Sequence, residues 1–302
     1  MDLGPQLVLA SLDGAVGAAV LALTALGLSL VFGVMRVVNV AHGEFFMLGA
    51  MIAWFVATSI GGHPAIGFVG ALIIAPLIVG AIAASADWLI LKRLDYEPEA
   101  TIVATIGLLY ILQQGALVTF GPVAQAVEAP FNSRIEIPWF EGSNVGWGLF
   151  TTSYKLFVIA AAISVLIAVW LLLSRTKIGL VMRATQLDRE TAQAFGIPVE
   201  KVYALTFGFG AALAALAAVL IVPIQQADYL MGGDPLLLSF IVVIIGGLGS
   251  LRGTLIAALL IGMSDGIISV FFTPTLAKII ATLVVAMVLV FRPQGLFGAK
   301  AQ

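Results

Sequence analysis

Long apolar stretches alternate along the chain with short polar interruptions. A helix needs about 20 apolar residues to cross a hydrocarbon core of ~30 Å. Stretches that meet or approach this fall at roughly 12–34, 44–60, 65–91, 100–120, 154–174, 202–224, 236–251, 254–272 and 276–291. The pattern therefore predicts about nine transmembrane helices in one membrane domain over residues 1–302. The seventh stretch is short and rich in Gly, so a broken or re-entrant helix is expected there. The first is long, which makes residues 3–11 candidates for an interfacial segment.

One interruption differs from the rest. Residues 183–198 read RATQLDRETAQAFGIP. The whole chain carries 14 Lys+Arg and 16 Asp+Glu. Arg175, Lys177, Arg183, Asp188, Arg189, Glu190, Glu200 and Lys201 crowd into this one loop.

Composition agrees with the pattern. Hydrophobic residues make up 61% and charged residues 10%, against about 45–50% and about 25% in soluble domains. The fold class is an all-α polytopic membrane protein. A net charge of −2 gives no basic surface for nucleic acid. With no Cys and two His, thiolate and multi-His metal sites are excluded, and no cofactor is expected. The N-terminus MDLGPQLVLASLDG lacks the basic region of a secretory signal, so the first span is expected to be retained.

Lys and Arg favour the cytoplasmic side of short loops. If the loop 175–201 is cytoplasmic, alternation places Arg36, Lys92, Arg93, Arg252, Arg292 and Lys300 inside with it. Only Arg134, Lys155 and Lys278 fall outside, a split of 11 to 3. The N-terminus is then outside and the C-terminus cytoplasmic. Segment 121–153 becomes an external loop with Trp139 and Trp147, residues suited to a membrane interface. It is either a docking surface for an external partner or a plain surface excursion.

Small residues recur at helical spacing: Ala204, Gly208, Ala211, Ala215 and Ala218 in the sixth span, and Gly246, Gly247, Gly249, Gly253, Gly262 and Gly266 in the seventh and eighth. Such faces let helices approach closely in lipid and predict a compact bundle.

Polar groups at membrane depth are candidate functional residues. The densest cluster is VVNVAHGEF, with Asn39, His42 and Glu44. It is either a helix break lining a path or an ordinary cytoplasmic turn with Glu44 at a helix start. Tyr110, Gln113 and Gln114 in the fourth span, and Gln225 and Gln226 after the sixth, either line a path or bond between helices. Enzyme readings lack their parts. There is no HExxH and no GxxxxGK[ST], so this chain has neither a metalloprotease helix nor a phosphate loop of its own.

The charged loop is predicted to hold two short helices. Thr176 caps the first. Thr185 caps the second, with Asp188 three residues on in a capping-box spacing. Gly196 ends it and Pro198 follows. Leu187, Thr191, Ala194 and Phe195 share one face, and Arg189 lies opposite, where its loss is expected to cost little. The helix either lies on lipid head groups or fits a groove in a cytoplasmic protein.

Arg183-Ala184, Asp188, Ala192 and Gly196-Ile197 resemble the cytoplasmic loop of bacterial ABC-transporter permeases, in which a short helix docks on the ATPase. VNVAHGEFFMLGA (38–50), ATIGLLYILQQ (104–114), IIGGLGSLRG (244–253) and FRPQGLFG (291–298) resemble permease subunits of branched-chain amino acid uptake systems. The similarity runs from about Gly27 to Gly298, with several motifs in order.

The resemblance implies a bacterial inner-membrane permease subunit that does no covalent chemistry. Its implied partners are a second related permease, two ATP-binding subunits and an extracytoplasmic substrate-binding protein. It implies that Arg183, Asp188, Ala192, Ala194, Phe195, Gly196 and Ile197 form the coupling surface, and it adds weight to VNVAHGEF as transport path. Asn39, His42, Glu44, Tyr110, Gln113 and Gln225 are the candidate path residues. Arg252 departs from the pattern, since related sequences often carry Pro there. Relatives of this type also move urea or short amides, and a stand-alone carrier or channel is the reading from outside the family.

Overall fold

The computed structural model describes residues 3–60, 63–136 and 150–273, together with 276, 279, 280, 283 and 287. Ten α-helices run through the described residues: α1 Leu3–Met35, α2 His42–Ile60, α3 Pro64–Leu89, α4 Pro98–Phe120, α5 Ser153–Arg175, α6 Lys177–Leu187, α7 Arg189–Ala194, α8 Val199–Ile221, α9 Gly233–Gly246 and α10 Leu251–Phe271. Seven of them, α1 to α5 with α8 and α10, are long and apolar enough to cross a membrane. α9 has 14 residues, about 20 Å of helix, which is short of a full crossing. The expected short seventh stretch is thus found. The expected ninth span, 276–291, falls largely outside the described residues. Residues 3–11 are not a separate interfacial segment, because α1 is continuous from Leu3.

α1 and α8 form the centre. α1 packs against α5, α8, α9 and α10, and α8 packs against α1, α2 and α3. The small residues set how close these helices come. A Cβ on Gly27 would lie 2.4 Å from the Gly210 carbonyl oxygen, so the α1–α8 crossing is backbone against backbone. Lipid tails are as apolar as Leu, so this intimate packing, not exclusion of water, holds the helices together. The outer helices α3, α4 and α5 turn apolar side chains outward. Leu77, Val103 and Ile111 are each more than half exposed to whatever surrounds the bundle.

The charged segments gather at one end. Lys92, on a 3-10 turn at Leu91–Leu94, pairs with Glu200 at 2.7 Å. Gly33 near the end of α1 lies against Gly249 and the Gln186 amide. At the other end Lys155 pairs with Asp13. There the fold departs from all-α: β1 (Arg134–Glu136) and β2 (Phe150–Thr152) form an antiparallel pair with Ile135 opposite Thr151. The Arg134 guanidinium stacks 3.6 Å over the Phe150 ring. Residues 137–149, with both loop Trp residues, lie outside the described residues. A second tie, a bridge between Gln125 and Ala227, joins this loop to the link between α8 and α9.

Candidate functional site

The VNVAHGEF segment is not an exposed turn. α1 ends at Met35, and Arg36 takes φ 56, the left-handed value that turns the chain back on itself. Val37, Asn39 and Ala41 are then buried. The segment re-enters the bundle, because α2 starts beside the middle of α1. His42 Nε2 lies 2.9 Å from the Thr24 carbonyl oxygen, about three turns before the end of α1. With a carbonyl as partner, Nε2 carries the hydrogen and donates. Non-helical backbone at this depth must find partners inside the protein. Asn39 Oδ1 accepts from the Ala41 amide at 3.0 Å, and Thr105 Oγ1 on α4 accepts from the Val40 amide at 3.2 Å. His42 Nδ1 and Glu44 Oε2 are buried and have no hydrogen-bond partner.

α9 begins at the same place. A Cβ on Gly43 would sit 2.2 Å from the Gly232 carbonyl oxygen, and one on Gly232 would sit 2.6 Å from that of Gly43. From this seam α2 runs away from the charged end, since Gly49 meets Ala215 beyond the Gly210 level of α8. α9 runs toward it, since Gly246 meets Gly253 and Gly249 meets Gly33. Two helix N-termini therefore meet inside the bundle and diverge.

A cavity of about 360 Å³ opens beside the seam, with Thr24, Phe46, Gln225, Asp234, Leu238 and Asp265 on its wall. A second cavity of about 200 Å³ shares Gly17, Leu21, Leu238 and Asp265 with it and reaches Asp13 and Ser269 toward the end that bears the β1–β2 pair. Together they trace a route from that end to the junction. Gln225 is on this route. Asn39, His42 and Glu44 lie at the junction, behind the wall. Tyr110, 59% exposed on α4, is turned outward instead, and Gln113 is half-buried. Neither joins the cavity lining. Asp234, Asp265 and Thr24 are not among the path residues expected from sequence. Asp265 carried the available signal, a carboxylate inside an apolar span.

The charged loop folds as two helices, with one change. Thr176 Oγ1 accepts from the Gly179 amide, as expected. The second cap is Asp188, not Thr185. Asp188 Oδ1 accepts from the Glu190 and Thr191 amides at 3.0 and 3.1 Å. Thr185 lies inside α6 and donates back to the Val181 carbonyl, because α6 runs on to Leu187. The Thr191 hydroxyl and these amides hold the Asp188 carboxyl below its ordinary range, so the cap is charged above that range and is lost only in stronger acid. Gly196 follows α7 at φ 84, the left-handed value that Gly adopts without a steric cost.

Leu187 and Phe195 are 81% and 84% exposed, and Ala194 and Gly196 are exposed beside them. Ala192, expected on that surface, is instead buried against the bundle, and Ile197 is half-buried. Arg183 turns back to donate to the Leu173 carbonyl at the end of α5.

Arg189 is exposed, yet it is not free of contacts. Its guanidinium lies 5.7 Å from the Tyr96 ring centre and 5.6 Å from that of Tyr203. The two rings meet edge to face at 4.6 Å. Tyr96 donates to the buried Asp87 at 3.4 Å, and burial pushes the Tyr96 phenol well up, which keeps it a donor. α7 is thus pinned to the link between α3 and α4 and to the start of α8. Cation–π contacts at exposed sites contribute about 0.5–1 kcal/mol each. Arg189→Ala is expected to loosen α7, with faster proteolysis at the loop than in the wild type, while Arg189→Lys retains part of the protection. Limited digestion in detergent checks this.

The sequence profile of the branched-chain amino acid transport system / permease component family matches residues 11–291. The high-affinity branched-chain amino acid transport system permease protein LivH of Salmonella typhimurium is 26% identical over 292 residues, covering 92% of this chain and 91% of that one. The probable branched-chain amino acid transport permease protein LivH of Methanocaldococcus jannaschii is 29% identical over 307 residues, covering 98% and 94%. The galactofuranose transporter permease protein YtfT of Escherichia coli is 27% identical over 288 residues, covering 92% and 77%. No solved structure matches. A polytopic helical bundle with a re-entrant junction, matched to one profile over nearly its whole length, belongs to the branched-chain amino acid transport system permease family.

Proposed function

We propose that this chain is the membrane permease of an ATP-driven importer for branched-chain amino acids in a bacterial inner membrane. The charged end faces the cytoplasm, where one of two ATP-binding subunits docks on α6 and α7. A second permease of the same family completes the channel, and an extracytoplasmic binding protein delivers substrate to the end bearing the β1–β2 pair. ATP is hydrolysed by the partners, not by this chain. Together with the family match, the exposed pair Leu187 and Phe195 carries this reading. Two large apolar side chains left exposed beside many charges suit a docking face better than a solvated one.

The cavity supports the substrate class. Leu21, Phe46 and Leu238 suit an aliphatic side chain, while Asp234, Asp265 and Gln225 offer polar partners to a zwitterion. A sugar, as the galactofuranose relative's name specifies, would face mostly carbon.

The test is reconstitution. The chain alone in liposomes should neither hydrolyse ATP nor take up leucine. With its ATP-binding subunits, second permease and binding protein, it should do both. Uptake of leucine by this chain alone on an ion gradient would overturn the reading. Uptake of urea or a furanose in preference to leucine would replace the substrate. The chain has no Cys, so single Cys probes report topology directly. Gln193→Cys should label only from the cytoplasm and Ser133→Cys only from outside.

A further inference from the structure

We propose that the chain holds one anionic phospholipid at its charged end, in a cleft between α1, α5, α6 and the start of α10. The cleft is a cavity of about 360 Å³, separate from the route described above. Its polar end presents Arg183, Gln186 and Arg252, and none of the described lining residues is acidic. Arg183 spends one N–H on the Leu173 carbonyl, which leaves the rest of its fork free. Arg252 is exposed, and among the described residues it has no ion pair. It stands in the first turn of α10, where the helix dipole is positive and a cation is disfavoured unless an anion sits with it. Ser174 Oγ, also in the lining, is shielded from solvent and has no partner. Cation, amide and hydroxyl donors thus line one cleft, with no anion among the described lining residues to receive them.

The other end of the cleft is carbon. Leu166 on α5 and Leu251 and Leu255 on α10 present it half-buried, over Leu26, Leu30 and Val34 of α1, which are buried beneath. From Leu166 to Leu173 the α5 side of the cleft runs about 10 Å, within the ~15 Å of hydrocarbon in one leaflet. Trp170 borders it, a residue type that favours the membrane interface. A free phosphate would satisfy the arginines and leave this wall bare. A phosphodiester head group carrying an acyl chain covers both.

The site requires only that the chain lie in a bilayer with its charged loop at one surface. It does not depend on which substrate is carried. Native mass spectrometry of the full chain in neutral detergent tests it, with phosphatidylglycerol, phosphatidylcholine and inorganic phosphate as probes. Wild type should retain one phosphatidylglycerol in preference to phosphatidylcholine, and excess inorganic phosphate should not displace it. Arg252→Gln should weaken retention about fivefold, the usual contribution of one cation near an anionic head group. Lys201→Gln, at the same end but outside the cleft, should change nothing. Equal retention of the two lipids by wild type, displacement by phosphate, or equal losses in the two variants would each overturn the proposal.

Discussion

Phe195→Asp is expected to abolish uptake by the assembled transporter while the chain still folds and inserts. Phe195 is 84% exposed and lies outside every membrane-crossing helix, so the bundle loses no contact. If it seats in a groove on an ATP-binding subunit, the aspartate would be buried there without a partner. An unpaired buried charge costs several kcal/mol, and truncating a central aromatic anchor commonly costs about 2–4 kcal/mol by itself. Either suffices to weaken association a hundredfold or so. Ala194→Glu, on the same exposed face, should act in the same direction. Pull-down of the ATP-binding subunits, with uptake in the same proteoliposomes, reads both. Wild-type docking by Phe195→Asp would mean that α7 rests on lipid instead.

Gly43→Val is expected to remove transport for a different reason, and without loss of ATPase docking. Its Cβ would fall 2.2 Å from the Gly232 carbonyl oxygen and 2.7 Å from the Leu236 Cβ. Backbone cannot swing aside like a side-chain tip, so the ends of α2 and α9 must part. Overpacking of this kind costs about 1–3 kcal/mol, and here it falls on the junction beside the cavity. Gly107→Ala on α4, where a Cβ meets nothing within 4 Å, is the matched control and should keep full uptake. A Gly43→Val variant that binds its partners and still imports leucine at the wild-type rate would remove the junction from the path.

The crossings were readable because each is a run of apolar residues bounded by polar ones. Boundaries such as Pro98 and Arg175 fall within two residues of the pattern. The caps at Thr176 and Gly196 were readable because their side chains or φ values act locally. What the pattern could not show was depth. Asn39, His42 and Glu44 read equally well as a surface turn, because nothing in their order says that His42 sits against Thr24. That contact depends on Arg36 adopting a left-handed backbone, which Arg sequences rarely advertise. The cap shifted from Thr185 to Asp188 because both residues suit the role, and the length of α6 decides between them. Arg189 looked like a free surface cation because its aromatic partners lie far away in sequence, at Tyr96 and Tyr203. The β1–β2 pair was missed because three-residue strands carry too little alternation to register.

The close crossings also order events during synthesis. In the finished bundle the backbone of Gly80 on α3 lies against Gly208 on α8. At roughly 5–20 residues per second, a ribosome reaches Gly208 about 6–25 s after Gly80. Gly14 waits longer still for Gly262. Through that interval the notches at Gly27, Gly49 and Gly80, which meet α8, have only lipid to fill them, and lipid fills a notch cut for a neighbouring backbone poorly. The bundle therefore cannot close helix by helix in the order it is made. Closure awaits α8, so a nascent chain stopped before Val199 has its early helices in the bilayer and no centre for them to pack around.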